Sequence, residues 1–239
     1  VTPTYSAFGD LVVHTPDGDR VASRRRERDT LAVLLAHRAP VAPDRLLAEV
    51  WESGTGLGSL QAVVSRLRSL LEPRREARGE SRCLVSSSAG YALRAATADV
   101  DTWQFEDLAR RCLAEPDPAT ALDLHDQGEV LWTGPPYGDC ECESVVAARA
   151  RLVELRAGAT ERAGEALLAL GDPGRAALLL GPLVREHPFR ERSAATLALG
   201  LYRSGRQSEA LATLRELRGR LSAELGVDPT PEVRRLEEE

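Results

Sequence analysis

Between Ser59 and Ser69 the chain carries side chains, at helical spacing, whose chemistry suits the edges of base pairs. Ser59, Ala62, Val63 and Arg66 line up on one stripe, with Gln61, Ser65, Arg68 and Ser69 alongside. Small residues permit close approach, Gln and Ser both donate and accept, and an Arg can present two N–H groups together to guanine O6 and N7. From Gly58 to Leu71 there is no carboxylate. A solvent-facing helix normally mixes Glu with Lys or Arg, so a face of small, neutral and Arg side chains suits a major groove between two phosphate backbones. A surface helix that happens to be Arg-rich fits the same residues, and the context decides between them.

Other chemistry is thinly represented. The four cysteines, at 83, 112, 140 and 142, are too scattered for a disulfide framework and form no CxxC pair, which implies a reduced, cytoplasmic protein. Cys140 and Cys142 flank Glu141 in a loop with His125 upstream; a metal or redox site there competes with two ordinary free thiols. The chain has no GxxxxGK[ST], HExxH or GxSxG, and its four His are not placed for a triad. No enzyme activity, catalytic residue, metal or cofactor is therefore expected. No apolar run approaches the roughly 18 residues that a membrane span needs, and no signal-peptide pattern occurs.

The elements that must position the stripe are legible around it. Leu60, Val63, Val64, Leu67, Leu70 and Leu71 recur at the spacing of a helix with one buried face, so Val63 belongs to both sets. Ser59 is a candidate cap and Pro73 a stop. Upstream, Tyr5–His14 alternates as one strand, and the turn at Pro16–Asp19 sends the chain back through Val21. Arg24, Arg25 and Arg26 lead into a helix burying Leu31, Val33, Leu34 and Leu35. That Arg run suits a phosphate contact or a solvated helix start. Pro43 opens a second helix facing Leu46, Leu47, Val50 and Trp51 inward, and a Gly-rich loop, Glu52–Gly58, separates it from the third. Beyond Pro73, Cys83–Val85 and Tyr91–Leu93 form a hairpin around SSSAG. Sheet, three helices and hairpin make a winged helix-turn-helix, with the third helix in the major groove.

The balance of charge changes along the chain. Residues 1–95 hold 14 Arg against 11 acids, net +3, and residues 96–239 hold 17 against 26, net −9. A basic half joined to an acidic one points to a nucleic-acid module followed by something else. The composition turns to Ala and acid at Ala95–Asp101, a short linker after which Asp101, Trp103 and Phe105 begin a packed contact. From there only helices are expected: 102–115, 118–132, 144–170, 174–187, 190–204, 207–225 and a short one from Pro231. Between the second and third lies TGPPYGDCEC, whose Gly and Pro content excludes regular structure.

The helical half contains a repeat. GDPGRAALLL from Gly171 and GRQSEALATL from Gly205 are 34 residues apart and match at Gly171/Gly205, Ala176/Ala210 and Leu180/Leu214. That is the tetratricopeptide period, in which each helix pair leaves an apolar face for its neighbour to cover. A plain helical bundle is the alternative. The fold class is thus mostly α with a small β component, a winged helix-turn-helix followed by an all-α tetratricopeptide-like domain.

With both halves in view, the chain resembles the Streptomyces antibiotic regulatory protein family of transcription activators, which join an OmpR-type winged helix to a bacterial transcriptional activation domain. The residues that carry this are LLAEVW at 46–51, LQAVVSRLRSLL at 60–71, ADVDTWQFEDL at 98–108, LWTGPPYGD at 131–139, LVREHPFRER at 183–192, LYRSGRQSEAL at 201–211 and ELGVDPTPEVRRLE at 224–237. Their order and spacing, not any single one, make the resemblance specific. It implies domains at 1–95 and 99–239 and a regulator that binds direct repeats in double-stranded promoter DNA as side-by-side protomers. Such a regulator recruits RNA polymerase and its sigma factor, here for a secondary-metabolite gene cluster. Base-facing positions then fall on Ser59, Ala62, Val63 and Arg66, backbone contacts on Arg68 and the wing residue Ser88, and the polymerase-facing loop on Glu52, Ser53 and Thr55. Val63 stands where relatives often have a polar or aromatic residue, and the wing tip Ser86-Ser87-Ser88-Ala89 lacks the basic residue or Pro common there. The alternative is a helical adaptor whose winged helix no longer binds DNA specifically. A fragment of residues 1–98 is expected to retain promoter recognition. Relatives of this architecture sometimes continue into further domains, and Glu237-Glu238-Glu239 ending inside a helix fits a trimmed end.

Overall fold

Tyr5 and Val13 pair across two short strands, β1 (Thr4–Ser6) and β2 (Val12–Thr15), and β3 (Gly18–Val21) completes an antiparallel sheet in the order β1-β2-β3. The computed structural model describes residues 3–51, 56–76 and 79–238. The single strand expected from Tyr5 to His14 is instead two, broken at Gly9, whose φ of 86° turns the chain. The break has a physical cause in Phe8. Its ring leaves the sheet for an aromatic cluster, edge-on to Phe105 at 5.6 Å and 4.6 Å from Trp132.

Three helices follow: α1 (Arg25–His37), α2 (Pro43–Val50) and α3 (Leu57–Leu71). Glu27 in the first turn of α1 and His37 in its last suit the helix dipole, and Arg38 closes it at φ 55°. Pro43 opens α2, where its missing N–H costs nothing. The three enclose Leu31, Leu34, Leu35, Leu46, Leu60 and Leu67, all fully buried, each contributing roughly 1.5–3 kcal/mol of apolar transfer. Helix α3 begins earlier than expected, with Gly56 at its N-cap and no side-chain cap, so Ser59 lies within the first turn and does not cap it.

The hairpin β4 (Leu84–Ser87) and β5 (Gly90–Leu93) docks on the α1–α2 connection. Val41 and Tyr91 exchange both backbone hydrogen bonds, at 2.8 and 3.0 Å. Gly90 makes this approach possible: its φ is 122°, and a Cβ there would lie 2.0 Å from the Val41 carbonyl oxygen.

Seven further α-helices are present among the described residues: α4 (Asp101–Ala114), α5 (Pro118–Leu131), α6 (Glu143–Ala169), α7 (Pro173–Glu186), α8 (Glu191–Arg203), α9 (Gln207–Arg220) and α10 (Pro231–Glu238). A π-helical turn, Leu221–Leu225, extends α9 to Gly226. The chain separates into two compact units, residues 1–107 with 129–153 and residues 108–128 with 154–239.

In the first unit Asp101 accepts hydrogen bonds from the N–H groups of Ala7 at 2.8 Å and Phe8 at 3.2 Å. Trp103 donates from Nε1 to the Leu35 carbonyl at 2.9 Å, and both Trp103 and Phe105 are buried. The Gly-Pro-rich loop after α5 covers the same sheet, since Gly9 donates to the Pro135 carbonyl and Thr133 to that of Phe8. Arg149 fastens this loop by donating to the carbonyls of Pro136, Gly138 and Cys140.

In the second unit the 34-residue repeat appears as repeated geometry. Gly171 and Gly205 take φ values of 80° and 77° and each introduces a helix, α7 and α9. Ala176, Ala210, Leu180 and Leu214, the matched apolar positions, are all buried. Helix α8 packs between them, and Gly200 allows its close approach to α7, where a Cβ would stand 3.1 Å from the Pro173 carbonyl. Asp172 caps α7 by accepting from the Arg175 N–H at 3.1 Å. Among the described residues no helix is long and apolar enough to cross a membrane.

Candidate nucleic-acid interface

Helix α3 divides its residues sharply. Leu60, Val63, Val64, Leu67 and Leu71 face the core, while Ser59, Gln61, Ala62, Ser65 and Ser69 are exposed and Arg66 and Arg68 half-buried. Val63 is only 3% exposed. Val63 thus packs mainly into the core, as the apolar periodicity of the helix requires, and only the edge of its side chain reaches the cleft.

The exposed stripe opens into a cleft of about 390 Å³ shared with the start of α1. Ser59, Ala62, Val63 and Arg66 of α3 line it together with Arg24, Arg25 and Arg26 at the start of α1 and with Trp51. The guanidinium of Arg26 lies 5.9 Å from the centre of the Trp51 ring and donates to the Val50 carbonyl, which ties the end of α2 to α1. Arg25 pairs with Asp29 at 3.5 Å, one turn along α1. Burial pushes the Asp29 carboxyl up, against a hydrogen bond from Cys140 and the neighbouring Arg charges that pull it down.

Arg66 and Arg68 are held in different ways. Arg66 donates from Nε to the Glu27 carboxylate at 2.5 Å and keeps 41% of its side chain exposed. Arg68 donates from Nε to the Leu84 carbonyl at 3.0 Å and from Nη2 to Ser86 Oγ at 2.7 Å, so it joins α3 to the wing. Ser88 is exposed at the hairpin tip, where the turn is closed by the Ala89 N–H donating to Ser87 Oγ. The loop residues Glu52, Ser53 and Thr55 lie outside the described residues.

Sequence reasoning missed Glu27. No carboxylate occurs along α3, yet α1 brings a buried one to its face. The available signal was a lone acid inside the run Arg24 to Arg28, where a solvated basic segment has no need of one.

Cys140 and Cys142 are buried free thiols, and no group of three or more His, Cys, Asp and Glu among the described residues is arranged to hold a metal. The hydrogen bond to Cys142 and burial both push the Cys140 thiol up, which keeps it protonated. His125 is satisfied within the second unit by Asp126 at 3.0 Å and Thr160 at 3.5 Å.

The profile of the bacterial transcriptional activator domain family matches residues 100–239. The chain belongs to the Streptomyces antibiotic regulatory protein family of transcriptional regulators. It is 35% identical over 221 residues to the regulatory protein AfsR of Streptomyces griseus, covering 87% of this chain and 21% of AfsR. It is 34% identical over 228 residues to the transcriptional regulator RedD of Streptomyces coelicolor, covering 93% and 65%. The solved structure of Mycobacterium tuberculosis EmbR in complex with a low affinity phosphopeptide matches with a TM-score of 0.87 at 27% identity, over 99% of this chain and 64% of that one. The chain thus spans about a fifth of AfsR and just under two thirds of RedD and EmbR. Its relatives are regulators of transcription, not enzymes, and the winged helix followed by a helical domain is the architecture of this family member as well.

Proposed function

We propose that the chain is a sequence-specific DNA-binding transcriptional activator. In this proposal residues 1–95 bind direct repeats in promoter DNA, with two copies side by side, and residues 99–239 form the activation domain. The observation that carries it is the exposed face of α3, where Ser59, Gln61, Ala62 and Ser65 present small and neutral groups beside a cleft lined by Arg24, Arg25, Arg26 and Arg66. Arg66 and the small residues meet base edges, and the Arg side chains at the start of α1, with Ser88 on the wing, meet phosphate. The acidic remainder of the chain, net −9 over residues 96–239, repels DNA at long range and is suited to proteins. RNA polymerase and its sigma factor are the proposed partners, reached in part through Glu52, Ser53 and Thr55. The regulated genes are a secondary-metabolite cluster, and the protein acts in the cytoplasm.

Gel-shift titration and footprinting with promoter fragments test the first step. A defined complex with a protected direct repeat is expected. Weak retardation that is the same for every fragment would instead identify a protein-docking adaptor.

A further inference from the structure

Glu27 lies at a place where a carboxylate is unexpected. It sits in the first turn of α1, 6% exposed, beside a cleft otherwise lined by cations and neutral groups. Burying a carboxylate is unfavourable unless it is paired, and Glu27 is paired by Arg66 at 2.5 Å, with Arg24 at 4.0 Å. A charge pair that served only stability could have been placed anywhere on α1 and α3. This one engages the side chain best suited to read a base.

The atoms matter. Glu27 holds the Nε–H of Arg66, and a guanidinium held there keeps the N–H groups of its two terminal nitrogens as a planar fork. That fork is the edge that fits guanine O6 and N7. We propose that Glu27 is a positioning residue for sequence recognition: it fixes Arg66 so that the terminal fork meets guanine without first losing side-chain freedom. The inference rests on the DNA-binding function proposed above. It has a second consequence, of opposite sign. The Glu27 charge offsets one cation near the phosphates, so it weakens binding to arbitrary sequence while sharpening the preference for one.

The two effects separate positioning from mere support of the fold, since a damaged fold lowers both. The test uses the full chain and a pool of randomised DNA duplexes, enriched first on the unmodified protein. The enriched duplex and its single-base variants are then titrated with Glu27→Gln, Glu27→Asp and Arg66→Ala at several salt concentrations. Glu27→Gln is expected to lower discrimination at the guanine lost to Arg66→Ala by about tenfold, and to steepen the salt dependence by about one unit. Glu27→Asp keeps the charge but is one methylene short, so it loses discrimination with the salt slope unchanged. Glu27→Gln in an Arg66→Ala background has no further effect on discrimination. If Arg66→Ala relaxes the preference while both Glu27 variants keep it, the inference is wrong and DNA recognition stands. If the unmodified protein enriches no sequence, the function itself is wrong. Should both Glu27 variants merely unfold the chain, Glu27 is a structural residue and the proposal fails.

Discussion

Arg68 on α3 donates to the carbonyl of Leu84 and to Ser86 Oγ, so one side chain fixes α3 and the wing to each other. The family resemblance implies a DNA-backbone contact for Arg68. Its two protein partners give it a further role in the proposed function, where a wing held at a set angle to α3 would determine which phosphates Ser88 and its neighbours reach. Arg68→Ala is expected to cost about 1–2 kcal/mol in urea unfolding, from the loss of two hydrogen bonds. It should weaken binding to all sequences alike and leave their rank order unchanged. A changed rank order would mean that Arg68 itself meets a base.

Gly90 is a second point on which the wing depends. Gly90→Ala puts a methyl group into the Val41 backbone at a φ that L residues rarely adopt, and it should destabilise by about 3 kcal/mol or more. Gly56→Ala is the control, with open space around its Cβ and an N-cap φ of −84°. Equal unfolding midpoints for the two variants would rule out this account of the hairpin.

The connection into the wing carries a pH dependence. Burial pushes the Glu72 carboxyl up, but hydrogen bonds from Ser81 and from the backbone N–H of Arg82 outweigh it and leave it below its ordinary value of 4.5. A carboxyl lowered in the folded state contributes stability above its unfolded pKa and loses it as pH falls through the folded one. Unfolding measured across the acid range should therefore show stability falling below 4.5. Glu72→Gln should remove part of that fall, at a cost of about 1 kcal/mol at neutral pH because solvent still reaches and screens the half-buried group. An unaltered acid profile in Glu72→Gln would assign the dependence to other carboxyls, among them Glu49. Burial pushes Glu49 up, while hydrogen bonds from Ser144, Arg45 and His37 bring it below the ordinary range.

The expectation that residues 1–98 stand alone meets an obstacle in the first unit. Asp101 holds the backbone of Ala7 and Phe8, Val100 is bridged to Tyr5, and the buried Trp103 and Phe105 meet Leu35 of α1 and the Phe8 ring. A chain ended at residue 98 exposes those apolar surfaces, and two large buried aromatics alone account for several kcal/mol, about 3–5 each on truncation. It is expected to lack a cooperative unfolding transition by circular dichroism, whereas a chain ended beyond residue 153 should retain the first unit.

The helical repeat makes its own prediction. A Cβ on Gly164 of α6 would stand 2.6 Å from Leu180 Cδ1 on α7. Gly164→Ala should cost about 1–3 kcal/mol, and Leu180→Ala about 2–5. Together they should cost less than their sum, because the methyl enters the space that the Leu vacates. Strict additivity in urea unfolding would show that the two residues do not meet.

Local pattern determined a great deal here. The seven helices after residue 100 follow from apolar periodicity bounded by Gly and Pro, and the repeat from two glycines 34 residues apart, because a helix needs only its own residues to declare its buried face. The division of α3 into buried and exposed residues was legible for the same reason, with Val63 at the border between the two stripes, buried yet lining the cleft. What the sequence alone could not decide are contacts between distant segments. The break at Gly9 depends on Phe8 finding Phe105 and Trp132, and the path of the 133–142 loop depends on Arg149. Glu27 meets Arg66 across 39 residues, and Asp101 holds Ala7 across 94. A hydrogen bond or ion pair between such residues leaves no period in the chain, so only the tertiary structure places the carboxylate of α1 beside the helix proposed to read DNA.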